Sequence, residues 1–378
     1  MRYELTSDVA FILVLFFNIF FDISSHAASI PAPVPQTGQT ACYEATGTTV
    51  IVCAGTGQDG DTLTGVAWPN PRFMDNGDQT MTDKLTGLVW TKDADPAGGI
   101  KTWQQSLDYI KTLNSKNYLG HNDWRLPNIN EMESLANKQG NLATWLNSQG
   151  FRNVRADYYW TSTTYASYTS YAWSVGMYSG IVAGHGKADG SYVWPVRRGQ
   201  FGALTLPKTG QTACYDNSGT AIDCAGTGQD GEVQAGVASP RPRFTDNADQ
   251  TSTDRLTGLV WSKEGKTIGP AACSPGTKTW QDALDYVKCI NTNNYLGKSD
   301  WRLPNRNELA SLVNHGQSNS AAWLNTLGFS NIQAYSYWSS STYPYNTWNS
   351  WSINMHDGAV TSTAKKHNIN VWPVRGGK

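Results

Sequence analysis

Residues 72–92 read RFMDNGDQTMTDKLTGLVWTK, and residues 243–263 read RFTDNADQTSTDRLTGLVWSK. In each stretch a strand runs into a polar Asp-Asn-x-Asp turn and a second strand ending in Leu-Val-Trp, the pattern of a β-hairpin. Its recurrence matters more than the hairpin itself, because a repeat fixes the organisation of a chain before any element is assigned. Working outward, TGQTACYEATGTTVIVCAGTGQDGD (37–61) returns as TGQTACYDNSGTAIDCAGTGQDGE (209–232), YLGHNDWRLPN (118–128) as YLGKSDWRLPN (295–305), and VWPVRRG (193–199) as VWPVRGG (371–377). The offset runs only from 171 at Trp90/Trp261 to 178 at Trp194/Trp372. The chain is therefore two tandem copies of one unit, with a period far too long for a solenoid. The expected domains are 28–199 and 209–378, joined by a linker at 200–208. Each is long enough to bury a core, so residues 28–203 and 204–378 are each expected to fold alone.

Beyond the hairpin, TWQQSLDYIKTLN starts a helix with Thr102 as N-cap and Gln105 three residues on. Trp103, Leu107 and Ile110 then share one face. Thr279, Trp280, Asp282, Leu284 and Val287 repeat the pattern. A second helix follows Pro127, with Asn128 and Glu131 (Asn305 and Glu308 in copy two) as its capping pair. The remaining stretches, YYWTSTT, YAWSVGMYSG and SYVWPVR, read as antiparallel strands. The fold class is α+β: two tandem strand-rich domains with two helices each. Fourteen of the sixteen tryptophans pair between copies, leaving Trp68 and Trp348 unmatched. A large aromatic at the same place in both copies is most simply a core element.

Six cysteines allow 15 connectivities. The repeat favours Cys42–Cys53 and Cys214–Cys224 as matching short loops, with Cys273–Cys289 confined to copy two. Metal thiolates and catalytic cysteines are the alternatives, and neither suits an exported chain with an even count. Export is read from Val9–Phe21, VAFILVLFFNIFF, too short to span a bilayer. Ser25-His26-Ala27 behind it offers small residues for cleavage after Ala27, making 1–27 a signal peptide. An uncleaved anchor is the alternative, since Arg2 is offset by Glu4 and Asp8. Leu206-Pro207-Lys208-Thr209-Gly210 resembles a sortase signal, but a whole domain follows it. The expected location is extracellular, at the cell surface or in the periplasm, with no stable membrane insertion after cleavage. Charge is balanced at −1 overall, 13 Lys+Arg against 14 Asp+Glu over 36–199 and 14 against 13 over 209–378. Nucleic acid is therefore not an expected partner.

TGQDGD, RFxDNxDQTxTDxLTGLVW, SDWRLPNRNEL, YWSSST and VWPVRGG resemble the Lcl C-terminal domain family, named from a collagen-like bacterial surface adhesin. The resemblance covers most of both copies and implies an exported bacterial protein. In the adhesin the domain forms trimers behind a collagen-like stalk and binds sulfated glycosaminoglycans. This chain has no Gly-X-Y run, and neither copy carries more than one net positive charge. Trp-Arg-Leu-Pro leading into a capped helix is more loosely similar to C-type lectin-like folds and to the formylglycine-generating enzyme. That enzyme's chemistry needs paired cysteines in its C-terminal half, and copy one has none after Cys53.

The residues offer few chemical centres. Asp75, Asp78 and Asp83, recurring as Asp246, Asp249 and Asp254, could hold Ca²⁺ with backbone carbonyls; the alternative is a hairpin turn built on Asx hydrogen bonds. Asp123-Trp124-Arg125 and Asp300-Trp301-Arg302 read as an Arg–carboxylate pair pinning a loop against the second helix. The histidines have no ligand spacing, and no nucleophile–base pair stands out. The expectation is a non-catalytic module that binds glycans, adhesin-like. A structural or protein-binding surface component and a hydrolase with dispersed carboxylates are the alternatives. The expected ligand-binding residues are Tyr165, Tyr168 and Tyr171 in TSTTYASYTSY (161–171), and Tyr343, Tyr345 and Trp348 in SSSTYPYNTWNS (339–350). Aromatic faces among Ser, Thr and Asn suit sugar rings and their hydroxyls. Alternatively, these loops fold back to cover the core.

Overall fold

The computed structural model describes residues 30–199, 202–266 and 269–377. The expected signal peptide, 1–27, lies outside the described residues, as do Gln200 and Phe201 of the expected linker. Each copy is an α+β unit, and the two copies are built alike. Thr102 and Gln105 form a reciprocal capping box at the start of the helix Trp103–Ser115, and Asn128 with Glu131 does the same for Ile129–Ser134. Copy two repeats the second box with Asn305 and Glu308. A third helix, Leu142–Ser148, matched by Ser320–Asn325, was not expected.

The expected hairpin is instead three strands, Phe73–Asp75, Thr80–Asp83 and Leu88–Thr91. Asp83 breaks the presumed long strand, because its carboxylate accepts from Leu85 N (3.0 Å) and Thr86 Oγ1 (3.0 Å) and closes a turn. Gly87, at φ 72°, completes that turn in the left-handed region. Val196–Arg198 adds a fourth strand, and copy two builds the matching four-stranded sheet.

The longer strands of both copies form one six-stranded antiparallel sheet. Its order is Ser336–Thr342, Asn349–Asn354, Val360–Ala364, Val182–Gly186, Tyr171–Gly176, Tyr158–Thr164. The copies meet where Val360 pairs with Val182. One apolar cluster runs through this junction, taking in Trp173, Val175 and Val182 with Trp351, Ile353 and Val360. Of the paired tryptophans, those at 90/261, 103/280, 124/301, 160/338, 173/351 and 194/372 are fully buried. Trp145 and Trp323 are partly buried.

The segment preceding each core packs on the other copy. Gln39 exchanges two hydrogen bonds with the backbone of Thr342, both 2.8 Å. Gln211 does the same with Thr164 at 2.8 and 2.9 Å. Asn305 Nδ2 donates to Thr64 O (3.1 Å), and Asn128 Nδ2 to Ala235 O (3.1 Å). The segment 202–237 thus caps the core it follows, while 30–66 closes the circle onto copy two. The fragments 28–203 and 204–378, expected to fold alone, would therefore each lose these contacts with the other copy. The two segments are so alike in sequence that the repeat cannot tell which core each one covers.

Candidate functional site

All six cysteines are paired within copies, as Cys42–Cys53, Cys214–Cys224 and Cys273–Cys289. Each short cystine loop belongs to an exchanged segment, and a lysine of the opposite copy anchors it. Lys187 Nζ donates to Tyr215 O and Asp216 O, both 3.1 Å, while lying 4.1 Å from the Trp103 ring. Lys365 Nζ donates to Glu44 O (3.2 Å) at 4.0 Å from Trp280. Burial lowers both amines, to about 8 for Lys187 and about 7 for Lys365. Two buried carboxylates lie at the same seam. Asp59 accepts from Thr37 Oγ1 (2.7 Å) and from Ser341 Oγ of copy two. Asp230 accepts from Thr209 Oγ1 and from Thr163 Oγ1 of copy one, both 2.7 Å. Burial raises both to about 6.

Where the copies face each other the repeat is broken by compensating charges. Arg306, fully buried, pairs with Glu133 and donates to Gly180 O (3.0 Å). Repeat positions 129 and 310 hold Ile129 and Ala310 instead. Lys138 lies 5.9 Å from the Trp351 ring without a hydrogen-bond partner among the described residues, and burial pushes its amine well below the usual range. Its counterpart His315 packs edge-on against Trp173 at 5.5 Å and is lowered by burial to about 4. None of these groups was picked out from the sequence. The signal that could have found them is mismatch: Ile129/Arg306 and Glu133/Ala310 swap charge for apolar residue in opposite senses.

The acidic clusters do not converge as a calcium site would require. Asp83 is held by Arg72 at 3.0 and 2.8 Å, and Asp254 by Arg243 at 3.1 and 2.8 Å. Asp75 pairs with Lys92 and caps Gly77 N (3.0 Å), while Asp78 accepts from Thr80 N (3.0 Å). Asp246 and Asp249 repeat this with Lys263, Ala248 and Thr251. Lys92, Thr80, Lys263 and Thr251 thereby hold Asp75, Asp78, Asp246 and Asp249 below the usual carboxylate range. Among the described residues, no three His, Cys, Asp or Glu side chains come together to hold a metal. The Asp-Asn-x-Asp stretches are Asx turns.

Arg125 pins its loop to the second helix, but through Glu131, at 2.5 Å for both bonds, and not through Asp123. Asp123 pairs with Arg197 (2.7 Å). Arg302–Glu308 and Asp300–Arg375 repeat the arrangement. An open cleft of about 600 Å³ lies between the copy-one segment Gly55–Thr62 and copy two's Leu284–Leu303. Among its polar groups Asp61 is engaged by Gly57 N, Asp300 by Arg375, and Asn291 by Trp301.

The aromatic loops divide cleanly. Tyr165 and Tyr343 occupy one repeat position, and both turn inward. Tyr343 is 8% exposed and meets Trp351 at 4.9 Å. Tyr165 packs on Trp173 at 4.4 Å and donates to Asp357 of copy two (2.6 Å). Tyr343 is a core residue and Tyr165 is half-buried against the core, so packing on Trp351 and Trp173 accounts for both where ligand binding was expected. The four that do not recur face solvent, with exposures of 64% for Tyr168, 42% for Tyr171, 42% for Tyr345 and 52% for Trp348. Their counterparts are Asn346, Asn349, Ser167 and Ser170. The loops lie at opposite ends of the shared sheet. Each rests on the cystine-loop turn of the other copy, Thr169 Oγ1 on Gly219 O (2.8 Å) and Thr347 Oγ1 on Gly47 O (3.1 Å).

Residues 79–197 and 250–375 each match the family model of the Lcl C-terminal domain. No curated protein matches the chain.

Proposed function

The chain belongs to the Lcl C-terminal domain family, and from that premise we propose that it is an exported, non-catalytic module that recognises glycans through its exposed aromatic loops. The family supports an extracellular binding module, and three disulfides fit an oxidising compartment. One observation carries the finer reading. Of the recurring loop tyrosines Tyr343 is buried and Tyr165 half-buried, both packed on core tryptophans, whereas the loop aromatics that differ between copies are exposed among Ser, Thr and Asn. Stability does not require a bare aromatic ring on a polar loop, but stacking on a sugar face does. The differing residues also mean that the two loops present different surfaces.

The test changes Tyr345 and Trp348 to Ala together, and Tyr168 and Tyr171 to Ala together. Thermal stability and binding to a glycan array are then measured, with calcium and with chelator. Binding lost at unchanged stability supports the reading. A fall in stability of several degrees, with binding retained in the folded fraction, assigns the loops to a structural role.

A further inference from the structure

The outer face of the shared sheet carries aromatics that belong to neither loop alone. Tyr158 and Tyr178 lie edge to face with centroids 6.1 Å apart, and Tyr178 meets Tyr345 of copy two, also at 6.1 Å. His185 packs 4.3 Å from Tyr158, and its Nδ1 lies 3.2 Å from Ser174 Oγ. Gly176 allows this packing. A Cβ there would stand 3.1 Å from Tyr178 and 3.2 Å from Tyr158, so both rings rest on bare backbone. Copy two has nothing comparable: Ser336, Asn354, His356 and Thr363 stand where copy one has Tyr158, Gly176, Tyr178 and His185. The row therefore exists once per chain, and it crosses the junction.

Charge narrows what it can take. The charges acting on His185 are the carboxylates of Asp189 and Asp157, and Asp157 also acts on Tyr158. Lys187, two residues beyond His185, is buried beneath the opposite cystine loop. Burial holds the His185 imidazole below its ordinary range, leaving it neutral. Among the described residues the charges acting on His185 and Tyr158 are carboxylates, which disfavour a sulfated or carboxylated chain.

We infer that Tyr158, Tyr178 and Tyr345 form one composite platform across the two copies, built to stack a chain of uncharged sugars. The inference rests on the glycan reading above and adds to it the site, the ligand class and the need for both copies. Successive rings offer a contact to each of several consecutive sugars. The half-exposed His185 supplies a neutral hydrogen-bonding group beside them, held from behind by the buried Ser174.

Calorimetric titration of the full chain separates this platform from the loops. The probes are uncharged hexasaccharides of glucose and of N-acetylglucosamine, with a heparin hexasaccharide alongside. The expected result is binding of an uncharged probe in preference to heparin. Affinity should fall about three- to tenfold on Tyr178→His, the scale of one lost aromatic contact. A fall of similar size is expected on Gly176→Asn, which removes no ring but displaces two. Tyr335→Ala, an exposed tyrosine away from the row, serves as the control, and the thermal midpoint of each variant verifies folding. If only the Tyr168, Tyr171 and Trp348 variants lose binding, the platform is overturned and the loop reading stands. Preference for heparin overturns the platform while leaving glycan recognition intact. Failure of every saccharide to bind overturns both.

Discussion

The seam between the copies and the outer sheet face show opposite uses of one duplicated sequence. At the seam both copies do the same work with the same residues: Gln39 and Gln211 clamp a strand end, Asp59 and Asp230 gather two hydroxyls, and Lys365 and Lys187 anchor a cystine loop. On the outer face the repeat has dissolved, with Tyr158, Tyr178 and His185 opposite Ser336, His356 and Thr363. A duplicated chain must keep its seam matched, because each half is completed by the other. Its solvent-facing rings carry no such constraint. Apart from the buried Arg306–Glu133 pair and Lys138 with His315, recurrence marks what holds the molecule together, and departure from recurrence among exposed residues marks what it can present to a partner.

The largest test of the seam is where the chain is cut. Residues 67–238 hold copy one's core with the segment that caps it, whereas 28–203 hold the same core with the segment that caps its neighbour. The first fragment should unfold cooperatively as a monomer. The second should be weaker by several kcal/mol, at roughly 1 kcal/mol for each lost hydrogen bond, or associate by exchanging segments. Sedimentation and thermal unfolding of both decide this. Equal stability as monomers would mean that the exchange contributes nothing.

Arg306 and Glu133 break the symmetry inside the seam. Arg306→Ala should destabilise the chain by about 3–5 kcal/mol, because it strands Glu133 in a largely buried position. The double change Arg306→Ile with Glu133→Ala installs the residues found at the corresponding repeat positions. It should recover most of that loss, as apolar replacement of buried pairs often does. Denaturant midpoints of the single and double variants measure both effects.

The buried carboxylates make the seam sensitive to pH. The folded chain raises Asp59 and Asp230 from an ordinary 3.8 to about 6. Between those values it holds protons that the unfolded chain releases. Their contribution is complete below about pH 4 and is lost as pH rises through about 6, on the order of 2–3 kcal/mol for each group. Asp59→Asn with Asp230→Asn should flatten the stability profile from pH 4 to 7. Lys365 and Lys187 act in a separate window. Their lowered amines mean that stability rises with pH from about 7 toward the ordinary lysine range.

Much of this was legible in the sequence, for physical reasons. Disulfide partners and capping boxes are local, so the repeated short loop identified Cys42–Cys53 and residue spacing the Asn128–Glu131 box. The core tryptophans were legible because duplication repeats packing constraints. The helix Leu142–Ser148 was missed because seven residues give too little periodicity to register. The exchange was missed because two nearly identical segments fit either core by sequence. The Glu133–Arg306 pair and the Tyr158–Tyr178–Tyr345 row join residues far apart in the chain, where no spacing rule applies.

The smallest expected effect is the sharpest test of the recurrence rule. Tyr343 and Tyr345 are two residues apart on one loop, and composition alone treats them as equivalent. Tyr343 recurs as Tyr165 and packs on Trp351; Tyr345 has Ser167 as its counterpart and is 42% exposed. Tyr343→Ala opens a cavity beside a buried tryptophan and should cost about 3–5 kcal/mol, the range for large aromatic truncations in cores. Tyr345→Ser installs the copy-one residue at a solvent-facing site. It should change stability by no more than about 0.5 kcal/mol, as surface substitutions do, even though it removes the Tyr178 contact at 6.1 Å. Urea midpoints of the two variants, read against the parent chain, give the comparison directly. Comparable losses for both would mean that the exposed ring is a structural cover like its buried neighbour. A loss confined to Tyr343 leaves Tyr345 with no task in the fold, and its place in the aromatic row then has to be explained by what it meets in solution.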